Sequence, residues 1–211
     1  MPRLKVIPLW LTTVACIIIT CIATLLFADV TRGFQTVTSD GARRIDLARA
    51  PRPLPEIQMI TSDGRRLSLA TLVGTDATSV ITLIYTQCLT ICRSTVGGQS
   101  YLQAQWQRQP PPHPMRLLTI SFDPQRDTPQ VMRAYAQKMR VDPALWHFAT
   151  VANADDLPRL LKLFDIVVLP DGRGDYVHNA ALFTTDAKAR LNRAWDIDQA
   201  EQVWLALNAE Q

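Results

Sequence analysis

The sequence is short of histidine, cysteine and net charge. Three histidines and four cysteines stand among 211 residues, and the formal net charge is only +3. A balance so near neutral excludes a chain that binds polyanions through bulk charge. Arg3 and Lys5 supply two of the three charges, leaving +1 for Asp29 onward. Two of the cysteines, Cys16 and Cys21, fall in an apolar run, so a single pair, Cys88 and Cys92, serves the rest of the chain. Disordered and collagen-like compositions are absent, since 47% of residues are hydrophobic and 19% charged, as in a globular domain. Solenoid repeats are absent too. Thr38-Ser39-Asp40-Gly41 recurs once, as Thr61-Ser62-Asp63-Gly64, and shared turn chemistry explains it, because Asp-Gly favours hairpin turns.

The chain does have one long apolar run, Val6 to Ala28, with no charge. As a helix at about 1.5 Å per residue it measures roughly 34 Å, enough to cross a bilayer. Pro8 lies at its start, where a missing N–H costs little. The rival, a cleaved signal peptide, needs a shorter apolar region and a small-x-small site; this run is longer and no clean site follows. Lipoprotein cleavage at Cys16 or Cys21 lacks the preceding pattern. With only five residues before the run, no organellar transit peptide is expected. The expectation is a single-pass anchor in a bacterial inner membrane, Arg3 and Lys5 in the cytoplasm and the rest in the periplasm.

Residues 29–55 then read as a linker, closed by the stiff "PRPLP" of Pro51 to Pro55. Beyond it strands and helices alternate. Ser79 to Thr86 is β-branched and apolar, predicting a strand buried on both faces. Helix is predicted from Ser94 to about Arg108, strand through Phe122, and helix from Pro129 to about Met139, Pro at the first position. A short strand follows from His147 to Val151, then a helix from Ala154 to Phe164. Tyr176 to Thr184 and Ala189 to Trp195 flank "TDAK" as a hairpin, and Ala200, Val203, Trp204 and Leu207 mark a final amphipathic helix. The order βαβαβα, two strands and a helix predicts an α/β sandwich with a mixed sheet.

Cys88 and Cys92 fall where a buried strand runs into a helix start, where unpaired N–H groups and the helix dipole favour negative charge. On regular helix their Cβ atoms lie about 5–6 Å apart, beyond the roughly 3.5–4.5 Å of a relaxed disulfide. A soft ion spans that gap, and a loop before the helix closes it. Disulfide, redox pair, metal clamp and buried thiols all remain open. Of the histidines, His113 reads as a solvated loop residue, His147 as a partly buried strand residue and His178 as structural. Two thiolates with one imidazole nevertheless suit copper, whereas a closed zinc site needs a fourth ligand. In "SFDPQRDTP", Asp127 or Thr128 reads as the cap of the following helix and Arg126 as surface solvation, with contact to the site or a partner as its rival reading.

Three blocks together, "YTQCLTIC", "SFDPQRDTP" and "DYVHNAALFTTD", resemble the signatures of the SCO/SenC proteins. These are membrane-tethered, thioredoxin-fold copper proteins of cytochrome c oxidase assembly. The resemblance runs from about Pro53 to Trp195, and its most specific block is "SFDPQRDTP". It implies a thioredoxin-like domain over residues 56–211, after residues 1–5 in the cytoplasm, an anchor at 6–28 and a linker at 29–55. It further implies that Cys88, Cys92 and His178 bind copper. The chain departs from the pattern at Leu89 and Arg93, where prolines commonly follow the cysteines. It departs again at Val177, where an acidic residue usually precedes the histidine, and at Asn179 in place of a serine.

The function so implied is delivery of copper, as Cu(I) or Cu(II), to the dinuclear copper site of an oxidase subunit, with Leu169 to Asp175 as a Gly-containing loop that lets His178 move. The alternative is a thiol–disulfide reductase that keeps that subunit's cysteines reduced through Cys88 and Cys92. An upstream copper donor and a thiol reductant are the further expected partners.

Overall fold

The computed structural model describes residues 8–88 and 91–209, with residues 91–93 described by backbone alone. The expectations for Arg3, Lys5 and Leu89, and for the side chains of Cys92 and Arg93, lie outside the described residues.

The chain falls into two units, one ending at Asp46 and one beginning at Leu47. In the first, Pro8 stands before α1 (Leu9–Val30), whose residues are uncharged up to Asp29 and none of which is buried. By length and composition, with a mean hydropathy of 2.4, α1 is long and apolar enough to cross a membrane. A left-handed turn at Arg32, Gly33 and Phe34 leads into α2 (Ser39–Arg49), and Arg32 grips Asp46 through two bonds of 2.7 Å. The segment read as linker therefore contains a helix. The first Thr-Ser-Asp-Gly sequence opens that helix rather than a hairpin, because Thr38 Oγ1 takes the Gly41 N–H at 3.1 Å, as a helix-start hydroxyl does.

The second copy makes the expected turn. It joins β1 (Gln58–Thr61) to β2 (Arg66–Ser68), with Gly64 at φ +86, a value glycine tolerates without strain. The turn was legible, but the two strands it joins and α3 (Leu69–Val73) have no counterpart in the sequence reading, being too short for a period to show. Then follow β3 (Thr78–Ile84), α4 (Ile91–Arg108), β4 (Met115–Ser121), α5 (Pro129–Lys138) and β5 (Trp146–Val151). A 3-10 turn, Ala154–Asp156, enters α6 (Leu157–Phe164). After it come β6 (Val168–Pro170), β7 (Tyr176–His178), β8 (Leu182–Thr185), β9 (Leu191–Trp195) and α7 (Ala200–Ala209).

Among the described residues the main sheet has seven strands in the order β2-β1-β5-β4-β3-β8-β9. β3, β4 and β5 run parallel, while β1, β8 and β9 pair antiparallel to their neighbours. Residues of β3 from Ser79 onward are buried. Their side chains alternate between the two faces, so the sheet is covered on both, as the unbroken apolar run predicts. A polar node crosses this core. The Thr82 and Thr119 hydroxyls both donate to the Gln99 carbonyl, and the Trp146 indole N–H donates to Thr119 at 2.8 Å. Each buried polar atom in it thus finds a partner.

One predicted strand is two. Tyr176 to Thr184 breaks after His178, and β7 pairs with β6 in a separate two-stranded ribbon. Asn179 causes the break. Its side chain accepts the Val167 N–H at 2.8 Å and donates to Asp165 O at 3.1 Å, turning the chain away before β8.

Candidate functional site

The site follows from the sheet. Ile84 pairs in register with Ser121, so the segments leaving β3 and β4 emerge side by side at the carboxyl end of the parallel strands, where α/β sheets place their ligands. β8 runs antiparallel to β3, with Ile81 opposite Phe183. The chain entering β8 therefore arrives at that same end. Residue 178 is brought beside residue 88 by strand direction, although they stand ninety positions apart.

Cys88 ends a turn in which its N–H reaches Tyr85 O at 3.2 Å, and it is buried. Cys92 belongs to the first turn of α4. His178 Nε2 lies 4.0 Å from Cys88 Sγ, and Nδ1 lies 2.9 Å from Asn179 O. A carbonyl only accepts, so Nδ1 carries the proton of the neutral ring and Nε2 turns its lone pair toward the sulfur. Burial lowers the proton affinity of His178 below the usual histidine range, against smaller opposing effects of Asn179 O and the Asp175 carboxylate. His113 and His147 are elsewhere. One precedes β4 and the other sits near the start of β5, at the opposite end of the parallel strands.

The sequence reading missed the walls of the site. His178 is enclosed by rings, with Phe122 at 4.9 Å, Tyr85 at 6.0 Å, and Tyr176 packed edge-on against Tyr85 at 5.3 Å. Burial and the facing Asp175 carboxylate raise the Tyr85 hydroxyl pKa, which keeps it protonated. Spacing could have flagged one member: Tyr176 and His178 are two apart on a strand and share a face.

The "SFDPQRDTP" block divides its work. Thr128 caps α5 as predicted, accepting the Val131 N–H. Asp127 does something else: it is buried and takes the Thr86 N–H and hydroxyl and the Ser121 hydroxyl. That pins the chain two residues before Cys88. Arg126, read first as surface solvation, pairs with buried Asp123 and bonds Gly174 O at 2.7 Å, so the rival reading holds. The loop read as Leu169 to Asp175 is shorter, because Leu169 and Pro170 belong to β6. Its turn is held by Asp171, which accepts from Arg173 N and Asp175 N.

A sequence profile of the SCO1/SenC family matches residues 49–207. The SCO1 protein homolog of Bacillus subtilis is 25% identical over 123 residues, 57% of this chain and 62% of that protein. A Stutzerimonas stutzeri protein is 26% identical over 127 residues, 59% of each. The chain thus spans about three-fifths of the length of these curated relatives. Among solved structures, a SCO1/SenC family lipoprotein of Bacillus anthracis superposes with TM-score 0.66 at 20% identity, covering 75% of this chain and 96% of that one. BsSco, a member of the Sco family of cytochrome c oxidase assembly proteins in which a disulfide switch was identified, gives 0.61 at 18%, covering 76% and 96%. Yeast Sco1 with copper bound gives 0.59 at 17%, covering 76% and 91%. These likenesses show the thioredoxin-like fold.

Proposed function

The chain belongs to the SCO1/SenC family, and from that premise we propose that it carries copper, holding the ion between Cys88, Cys92 and His178 and passing it to the dinuclear copper site of a cytochrome c oxidase subunit. One observation carries the reading: a buried thiol and a neutral imidazole, far apart in sequence, face each other across 4.0 Å. That gap is below the roughly 4.3 Å that bonds of zinc length, about 2.3 Å to sulfur and about 2.0 Å to nitrogen, can span. Thiolate and imidazole are the donors copper prefers. The lowered proton affinity of His178 leaves Nε2 unprotonated at neutral pH, so an incoming ion displaces no proton from that nitrogen. The Asn179 carbonyl fixes the ring's tautomer, as partners of metal-binding histidines do. Copper bound to yeast Sco1 supports the same cargo here.

Helix α1 would anchor the domain in a bacterial inner membrane, with residues from 29 onward in the periplasm. Donor and oxidase subunit would then share one layer, raising their effective concentration. Titration of the reduced full chain with Cu(I) should show a single equivalent bound, and His178→Ala should weaken it by at least about tenfold. A wild-type chain that takes up no copper ends this reading.

The position of Cys88, buried just ahead of the helix turn that contains Cys92, favours a second reading, and the disulfide switch of BsSco supports it. One thiolate attacks a disulfide of the oxidase subunit, releasing a thiol there, and the other cysteine resolves the mixed disulfide. The subunit gains two electrons, and an upstream thiol reductant restores the pair. Under this reading His178→Ala retains activity, whereas a single-cysteine variant traps the subunit covalently.

A further inference from the structure

Resting on the copper reading, we infer that Arg126 is a positioning residue: it latches the β6–β7 ribbon to the segments that leave β3 and β4, and so sets the separation of Cys88 and His178. The ribbon needs such a latch. Among the described residues its two strands pair only with each other, three residues in each, and a lone two-stranded hairpin is marginal in water. At its base Asn179 ties it to Asp165 and Val167. Nothing in the ribbon's own pairing fixes the tip against the cysteine side.

Arg126 supplies that contact. Its guanidinium bonds Gly174 O at 2.7 Å, at the tip. Its central carbon, Cζ, lies 4.9 Å from the Tyr176 ring centre and 5.6 Å from that of Tyr85. One of these rings belongs to the ribbon and the other follows β3, three residues before Cys88. The far anchor is Asp123, nearly fully buried and ion-paired to Arg126 Nε. One side chain therefore joins the segment after β4, the segment after β3 and the histidine strand. Gly174 sits at φ +92, which presents its carbonyl in a left-handed turn that other residues enter only with strain. A lysine keeps the charge but has neither the fork that serves Asp123 and Gly174 together nor the flat face that stacks on Tyr176.

The test reads the ring of His178 directly. In the metal-free full chain in detergent micelles, the rings of Phe122 and Tyr85 should displace the NMR shifts of the His178 ring protons. In Arg126→Gln they should move toward free-histidine values, and amide exchange at residues 176–178 should rise about tenfold or more, with β4 amides unchanged. Arg126→Lys should fall between. Because Arg126→Gln orphans a buried carboxylate, the double variant Asp123→Asn, Arg126→Gln is measured beside it and should show the same loss. Cu(I) affinity, read by competition with a chromophoric chelator, should drop about 10–100-fold. A folded double variant with unchanged ring shifts and exchange overturns the latch. A wild-type chain that shows the latch signals but takes no copper overturns the copper reading and leaves the latch standing.

Discussion

Asp127 is 1% exposed and fixes where Cys88 can be through the residues that precede it. Its two carboxylate oxygens collect the N–H and hydroxyl of Thr86 and the hydroxyl of Ser121. In Asp127→Asn the amide NH2 replaces the oxygen that accepts the Thr86 hydroxyl, and the charge that strengthens the remaining bonds is lost, at a cost of about 1–3 kcal/mol. Urea unfolding should show that loss as a lower midpoint with unchanged slope, and Cu(I) affinity should fall with it. The residue was visible in the sequence as a helix-capping candidate, but only folding revealed its role, because its partners sit 41 and 6 positions away. Arg126 is the same case, a charge that looks like surface until Gly174 and two tyrosines arrive from other parts of the chain.

Among the elements, α5 shows how much local chemistry can dictate. Pro129 takes the first helical position and the helix closes at Met139, as read from the sequence, and of the two caps read there, Asp127 and Thr128, it is Thr128 that accepts from Val131 N. Thr128→Ala should therefore cost about 1 kcal/mol, measured as a shift of the urea midpoint. The β6–β7 ribbon shows the opposite. Tyr176 to Thr184 alternates well enough to read as one strand, and nothing local announces that Asn179 will bond backward to Asp165 and Val167. The break shapes the site, since it frees His178 from the main sheet and leaves its ring facing Cys88.

At the scale of the whole molecule, stability depends on pH through groups whose proton affinity folding changes. Burial, with smaller effects from Arg116 and Arg65, lowers His147 below its ordinary 6.5. The unfolded chain then binds the proton more readily, so this contribution is complete above about pH 6.5 and is lost as pH falls through the window beneath it. His178 shifts in the same direction. Asp63, Asp171 and Asp186 are lowered from 3.8, so their contributions persist until pH falls below about 4. Urea unfolding at pH 7.5 and 5.5 should show wild type losing more stability between them than His147→Gln, whose residual loss reflects His178. Equal slopes for the two proteins would refute this assignment.

By itself the sequence determined the long apolar helix, the buried parallel strands, the cap of α5 and the cysteine positions at a strand-to-helix junction. Each depends on residues within a few positions of one another, where periodicity and turn chemistry act. Tertiary structure decided the short β1–β2 hairpin, the separate ribbon, the aromatic walls and the meeting of Cys88 with His178. The signature blocks implied that meeting only through resemblance. Its physical cause is the direction of β8: antiparallel to β3, it delivers the histidine to the end of the sheet where the cysteine emerges. Strand direction is set by how the whole core packs, so no local stretch of residues could encode it.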